Sequence, residues 1–275
     1  MALGNNAFEV ELLTTQYSSV LELLLQQKTS KLRGLFATGN HVGKMASPVQ
    51  QVGNVEFRQP EGRFAPIAFQ LPNYTRRWVF PNDRDVGVPV DTFDLLRTII
   101  DPKAQLNEAI SAAANRFFDQ LIVNCAFASA STGVDASSLS TESWPASTYL
   151  VNEDFGASAT TGMTYRKFIE AKRILRHYEN DLDSMSAVMI IGSQQESDLL
   201  TAQEAISKEY NDKPVVENGV ITRLAGMNIV VSERLAYASS VRDCICAMLS
   251  AGATRLELGR VVQVQCADAT TGPVV

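Results

Sequence analysis

The stretch between Met45 and Asp101 constrains this chain most. It holds Arg58, Arg63, Arg76, Arg77, Arg84 and Arg97 but no lysine, and Pro48, Pro60, Pro66, Pro72, Pro81 and Pro89 punctuate it. Those prolines forbid helix interiors and central-strand positions, so the chain here must run extended or in hairpins. Phe57, Phe64, Phe69, Tyr74, Trp78, Phe80 and Phe93 are costly to leave in water, yet the contiguous apolar sequence is too short for a separate core. Planar cationic forks and aromatic rings on an extended arm suit a neighbouring subunit, which points to assembly rather than catalysis.

The rest of the chain is long enough for a sizeable core, at 275 residues with 45% hydrophobic and 20% charged side chains. No apolar run reaches the ~18 residues of a membrane span. The start, Met1-Ala-Leu-Gly-Asn-Asn6, has no basic region followed by an apolar one, so synthesis in a reducing cytosol is expected. Cys125, Cys244, Cys246 and Cys266 each fall inside an apolar helix or strand pattern and read as buried, inert thiols. They have no partners at zinc spacing. The net charge of −6 is unevenly spread: residues 1–45 carry about +1, 46–100 about zero and 101–275 about −7. An acidic body is not the footprint of a sequence-reading DNA binder.

Helical spacing of Leu13, Tyr17, Val20, Leu21 and Leu24 predicts a first helix over about 11–27, ending in Lys28, Lys31 and Arg33 before Gly34. Cations there suit the negative end of a helix dipole, and they equally suit an acidic partner or nucleic acid. Residues 46–90 read as β segments: one at Val49–Phe57, one where Ile67, Phe69 and Leu71 alternate, and a return through Arg76–Phe80. No third strand is apparent beside this ribbon, and a two-stranded ribbon is marginal alone. Asp101 as N-cap and Pro102 at the first helical position open a long helix to about Phe127, with Leu106, Ile110, Ala113, Phe117, Leu121 and Cys125 in period.

Residues 128–163, rich in Ser, Thr, Ala and Gly, read as loops and short surface strands. A further helix from Thr164 turns Phe168, Ala171, Ile174 and Leu175 inward and leaves Arg166, Lys167, Lys172, Arg173 and Arg176 on a solvated face. Beyond Asp181 the pattern is α/β. Strands are expected at Ala187–Ile191, Gly226–Val231, Asp243–Leu249 and Arg260–Cys266, with a helix near Gln194–Thr201.

Catalytic signatures are missing. His41 and His177 have no carboxylate or cysteine at diagnostic spacing. Gly39-Asn-His-Val-Gly43-Lys44-Met45 has three residues between its glycines where a phosphate-binding loop has four, and methionine where that loop needs Ser or Thr. The pairs Asp83/Asp85 and Asp181/Asp183 sit in turns, where carboxylates cap backbone groups. No cofactor or metal is expected.

Several strings, in order along nearly the whole chain, carry a resemblance. They are Gln27-Lys-Thr-Ser-Lys-Leu-Arg33, Asn73-Tyr-Thr-Arg-Arg77, Asp101-Pro102, Ala187–Ile191 running into Gln194-Gln195 and Asp198-Leu-Leu200, and Gly252-Ala-Thr-Arg255 followed by Val261-Val262. In this the chain resembles the major capsid proteins of tailed double-stranded DNA bacteriophages, which share the Hong Kong 97-type capsid fold. The resemblance implies an α+β fold. Residues 1–45 would be an N-terminal arm, 46–90 an extended β-hairpin loop, and 91–181 a peripheral domain with spine helix 101–127. Residues 182–250 would be an axial domain and 251–275 a return strand to the peripheral domain. The chain departs from the family in passing almost directly from Met248 to Gly252.

The same resemblance implies a structural subunit, not an enzyme. It would form hexamers and pentamers of an icosahedral head around packaged DNA, without sequence-specific contacts, in the host bacterial cytoplasm. Arg58, Arg63, Arg76, Arg77, Trp78 and Arg84 would contact neighbouring subunits, with Arg76 and Arg77 meeting acidic residues. Lys28, Lys31 and Arg33 would form an inner-surface basic cluster. No lysine lies between Lys44 and Lys103 to donate an isopeptide crosslink, so noncovalent burial is expected to hold the shell. A separate scaffolding protein, a portal protein and a possible decoration protein are the expected partners, with no membrane. An encapsulin-like nanocompartment shell around a cargo enzyme is the alternative within this fold. An α/β enzyme with a site after Ile191 is the alternative outside it.

Overall fold

The computed structural model describes residues 26–35, 47–53, 55–59, 62–63, 66–67, 69–90, 103–157, 159–177, 186–202, 221–238, 241–249 and 261–267. The chain divides into two compact units, Met1–Leu35 with Asp83–Ile122 and Phe36–Asn82 with Val123–Val275. Among the described residues no helix is long and apolar enough to cross a membrane.

In the first unit the long helix α1 begins at Lys103 and continues to Ala126, its last turn belonging to the second unit. Its 24 residues make a rod of about 36 Å. The expected capping pair Asp101-Pro102 lies outside the described residues, as does the predicted first helix apart from Gln26 and Gln27, which are not helical. The helix exists as expected, but its buried stripe differs. Ala112, Asp119, Val123 and Ala126 are buried, whereas Phe117, Leu121 and Cys125 of the expected inward line are exposed. Residues 27–32 bind α1 through Asp119, and that contact decides which side of the helix is covered.

The second unit holds two sheets. In the smaller, β1 (Ser47–Val52), β2 (Tyr74–Val79), β3 (Ala130–Thr132) and β4 (Ser140–Glu142) lie side by side in chain order. Each neighbouring pair is antiparallel. The ribbon therefore does have a third strand: Arg77 pairs with Thr132 and Trp78 with Ser131. The expected strand at Ile67, Phe69 and Leu71 does not form; the described residues from 53 to 73 are irregular. Proline at 66 and 72 removes ladder donors there. Gly53 N–H still reaches Asn73 O at 2.7 Å and Glu56 N–H reaches Gln70 Oε1 at 3.3 Å, so the ribbon closes on itself beyond its strands.

The larger sheet runs β5 (Leu150–Val151), β11 (Val261–Ala267), β10 (Val241–Leu249), β6 (Ser186–Ile191), β8 (Met227–Val231) and β7 (Arg223–Leu224), with β9 (Tyr237–Ala238) on β10. β6 is parallel to β8 and antiparallel to β10. Ala187–Ile191 are consecutive buried residues, as are Cys244–Ala247, so both faces of these strands are covered. The last strand, β11, lies between β10 and β5, so it shares a sheet with β6, β8 and β10.

The short helix α2 (Ala146–Tyr149) precedes β5, and α3 (Tyr165–His177) packs on β11 and β5. Thr164 caps α3 by accepting Lys167 N–H on Oγ1 at 3.3 Å, and Phe168, Ala171, Ile174 and Leu175 are buried as expected. Lys167 is not on a solvated face. It is fully buried, and Nζ donates to Thr161 O (2.7 Å), Gly162 O (3.0 Å) and Gln265 O (3.1 Å). Three carbonyls match the three protons of an ammonium, which is why a lysine is tolerated in the core. The helix α4 (Ser193–Thr201) follows β6.

Candidate assembly surface

The root of the hairpin is fastened to its own chain. Trp78 Nε1 donates to Gly133 O at 2.9 Å and an Arg76 guanidinium nitrogen donates to Val134 O at 2.6 Å. The same guanidinium lies 5.9 Å from the Trp78 ring, a cation–π distance. Arg76 and Trp78 share one face of β2, as the two-residue period of a strand requires, and both grip the turn between β3 and β4. Arg77, on the opposite face, is partly buried.

Beyond the root the described tip residues are exposed. Phe57 is 108% exposed, Phe69 and Leu71 93%, and Ile67 82%. Val52 and Val55 are also exposed, and Arg58 and Arg63 lie exposed in the same tip. Side chains so apolar and so open, clustered in one segment, mark an interaction surface rather than scattered surface residues. Arg84, far along the chain, lies 5.9 Å from the exposed Phe117 ring on α1.

The basic cluster is also held by α1. Lys28 Nζ pairs with Glu108 at 2.5 Å, with both side chains about half exposed, and Arg33 stacks over Phe118 at 4.6 Å. Lys31, likewise exposed, contributes its backbone N–H to the joint that organises this segment. Asp119 is fully buried, yet its carboxylate accepts four hydrogen bonds from residues 27–32. Its donors are Gln27 Nε2 (2.5 Å), the Ser30 hydroxyl, Lys31 N–H (3.1 Å) and Leu32 N–H (3.1 Å). Burial works to raise the Asp119 pKa, but these donors outweigh it and hold the carboxyl below its ordinary value. About one turn before Asp119, Arg116 donates to Gln26 Oε1 (2.6 Å) and Gln27 O (3.2 Å), and Asn115 donates to Lys28 O (2.8 Å). Nothing local in the sequence singled out Asp119; its donors lie some ninety residues away.

Other polar groups have structural jobs. Glu233 accepts the Ser193 N–H at the start of α4 (2.6 Å) and pairs with Arg242. Partial burial opposes ionisation of Glu233, but the Ser193 hydroxyl and N–H and the Arg242 guanidinium bring its pKa to about 2. Beside a groove of about 310 Å³, Asp198 accepts Met163 N–H (3.0 Å) and Gln194 Nε2 (3.2 Å). Cys244, Cys246 and Cys266 are buried, and burial pushes the Cys246 thiol up to about 12, the state of an inert core thiol. Cys125 is the exception, being exposed on α1. Among the described residues no group of His, Cys, Asp and Glu is placed to hold a metal ion. His177 is exposed at the end of α3, and His41 lies outside the described residues.

Residues 11–246 match the family model described as phage capsid protein. The chain belongs to the phage capsid protein family. Its fold is likewise similar to that of solved phage chains. One structure, from Mycobacterium phage Che8, superposes with a TM-score of 0.60 at 12% identity, over 90% of this capsid protein and 95% of that chain. A second, described as the capsid structure of the cyanophage P-SCSP1u, gives 0.61 at 14% identity, over 98% and 97%. No curated protein matches this capsid protein. At such identities the likeness speaks for the fold, and the mixed α+β architecture expected from sequence is the one found. The protein is a structural subunit of a phage capsid.

Proposed function

We propose that this subunit assembles into hexamers and pentamers of an icosahedral phage head that encloses double-stranded DNA. The exposed residues of the hairpin tip carry this reading. Val55, Phe57, Ile67, Phe69 and Leu71 are exposed together in the single chain, beside Arg58 and Arg63, and a second copy laid against them would bury them. An arm laid over a neighbour contributes to an interface of obligate size, on the order of 2,000 Å² or more. Arginine suits the contact, because its fork binds carboxylates at two points and stacks on rings.

The residues expected at the interface divide by role. Arg58, Arg63 and the apolar tip meet the neighbour. Arg77 and Arg84 join them in that contact, and Arg76 and Trp78 also hold the root to Val134 and Gly133 of their own chain. Residues 1–45 serve as the N-terminal arm, 101–127 as the spine of a peripheral domain, 182–250 as the axial domain around the symmetry axes, and 251–275 as a strand returning to the peripheral domain. Lys28, Lys31 and Arg33 face the packaged DNA as a nonspecific basic cluster. The shell is free of lysine crosslinks in the loop and assembles in the host cytoplasm with a separate scaffolding protein, a portal protein and, where present, a decoration protein. Negative-stain microscopy of the expressed protein, with and without scaffold, tests the reading. Closed shells enclosing DNA in infected cells are expected. Shells that enclose a protein cargo identify a nanocompartment, and a chain that stays monomeric at high concentration refutes assembly.

A further inference from the structure

We propose that Asp119 is a positioning residue: it clasps residues 27–32, within the N-terminal arm, to α1 and so fixes where the arm is anchored in the free subunit. The clasp has the construction of a rigid joint. One buried carboxylate takes two side-chain and two backbone donors from six consecutive residues, which sets the path of the main chain as well as its side chains. Ser30 Oγ, which donates to Asp119, also accepts the N–H of Arg33 at 3.0 Å, so the turn that follows is locked through the same hydroxyl. Leu32 is fully buried at the centre of this turn. Around the clasp, Lys28–Glu108, Arg116 to Gln26 and Gln27, and Arg33 over Phe118 attach both flanks of the segment to α1.

A buried carboxylate is a demanding choice for a joint. Left without its donors it must be desolvated alone, and the two backbone amides left without it are equally unpaired. The segment therefore docks fully or not at all, and any partly docked path is penalised. That property suits an arm that must reach a defined place on a neighbour. The inference rests on the assembly reading for its purpose, but the clasp itself belongs to the isolated subunit and is measured there.

The test is backbone amide exchange on the isolated subunit, paired with assembly of the same variants. In Asp119→Ala the amides of Lys31 and Leu32 lose their acceptor, and their exchange is expected to quicken about tenfold or more. The amides of Val188–Ile191 and Cys244–Ala247, in the other unit, keep their wild-type rates. Particle yield falls, or particles become irregular. Should Asp119→Ala not fold, Ser30→Ala and Gln27→Ala each remove one donor, and each is expected to quicken the same two amides by a smaller factor. Unchanged exchange at Lys31 and Leu32 overturns the clasp. Quickened exchange with wild-type particle yield and shape overturns its positioning role. A wild-type chain that forms no particles at all defeats the assembly reading, while the exchange rates still decide whether the clasp exists.

Discussion

Replacing Phe57, Phe69 and Leu71 together by serine separates folding from assembly. In the single chain these side chains are 93% to 108% exposed, so they contribute almost nothing to the stability of the subunit. Substitution at such sites shifts folding free energy by less than about 0.5 kcal/mol. The assembled state differs. Fully burying a Phe or Leu is worth roughly 1.5–3 kcal/mol, so three sum to about 6 kcal/mol, and half-burial in a wet interface leaves about 3 kcal/mol per arm. Since about 1.4 kcal/mol is a tenfold change, the protein concentration needed for assembly rises roughly a hundredfold. Calorimetry of the dissociated subunit and light scattering over a concentration series measure the two quantities. The reasoning fails if the variant subunit melts several degrees below wild type, because the tip would then pack on its own chain. It fails equally if the variant assembles at the wild-type concentration.

Three further outcomes follow from the packing. Lys167→Met leaves the carbonyls of Thr161, Gly162 and Gln265 without that donor and is expected to lower stability by about 2 kcal/mol in urea; an unchanged midpoint refutes the role given to Lys167. Glu233→Gln tests a pH dependence. A carboxyl at about 2 in the folded chain against an ordinary 4.5 stabilises above pH 4.5, and that stability is lost as pH falls towards 2. With the side chain about half exposed the effect is discounted to about 1 kcal/mol, so wild type and variant should differ at pH 7 and converge only as pH falls to about 2. Trp78→Phe removes the hydrogen bond to Gly133 and is expected to quicken amide exchange in β1 and β2 while β6 and β10 stay protected; equal rates throughout contradict the fastening of the hairpin root.

What the sequence made legible follows its local signals. The long helix announces itself by period, and Ala187–Ile191 by a continuous apolar run, because both signals lie within the element. The sheet that roots the hairpin was hidden because β3 and β4 are three-residue strands of Ala, Ser, Thr and Glu, with no apolar alternation to betray them. The covered side of α1 is not legible in its period for a related reason: its buried Asp119 faces a segment distant in sequence. Lys167 looked like one more cation on a charged face, since its burial depends on three carbonyls that only the fold brings together. Cys125 sat in the apolar period of α1 but faces outward with Phe117 and Leu121. Arg76 and Trp78 stood out by composition, yet their partners, Gly133 and Val134, carry no side-chain signature to pair them with.

Photo-crosslinking from position 69 in particles grown from a mixture of light and heavy isotope-labelled subunits tests the shared arm most directly. A benzophenone side chain there is predicted to give adducts that join light to heavy chains. Adducts confined to single chains, with no light–heavy pair, would show the hairpin tip lying on its own subunit, and the proposed mode of assembly would be wrong.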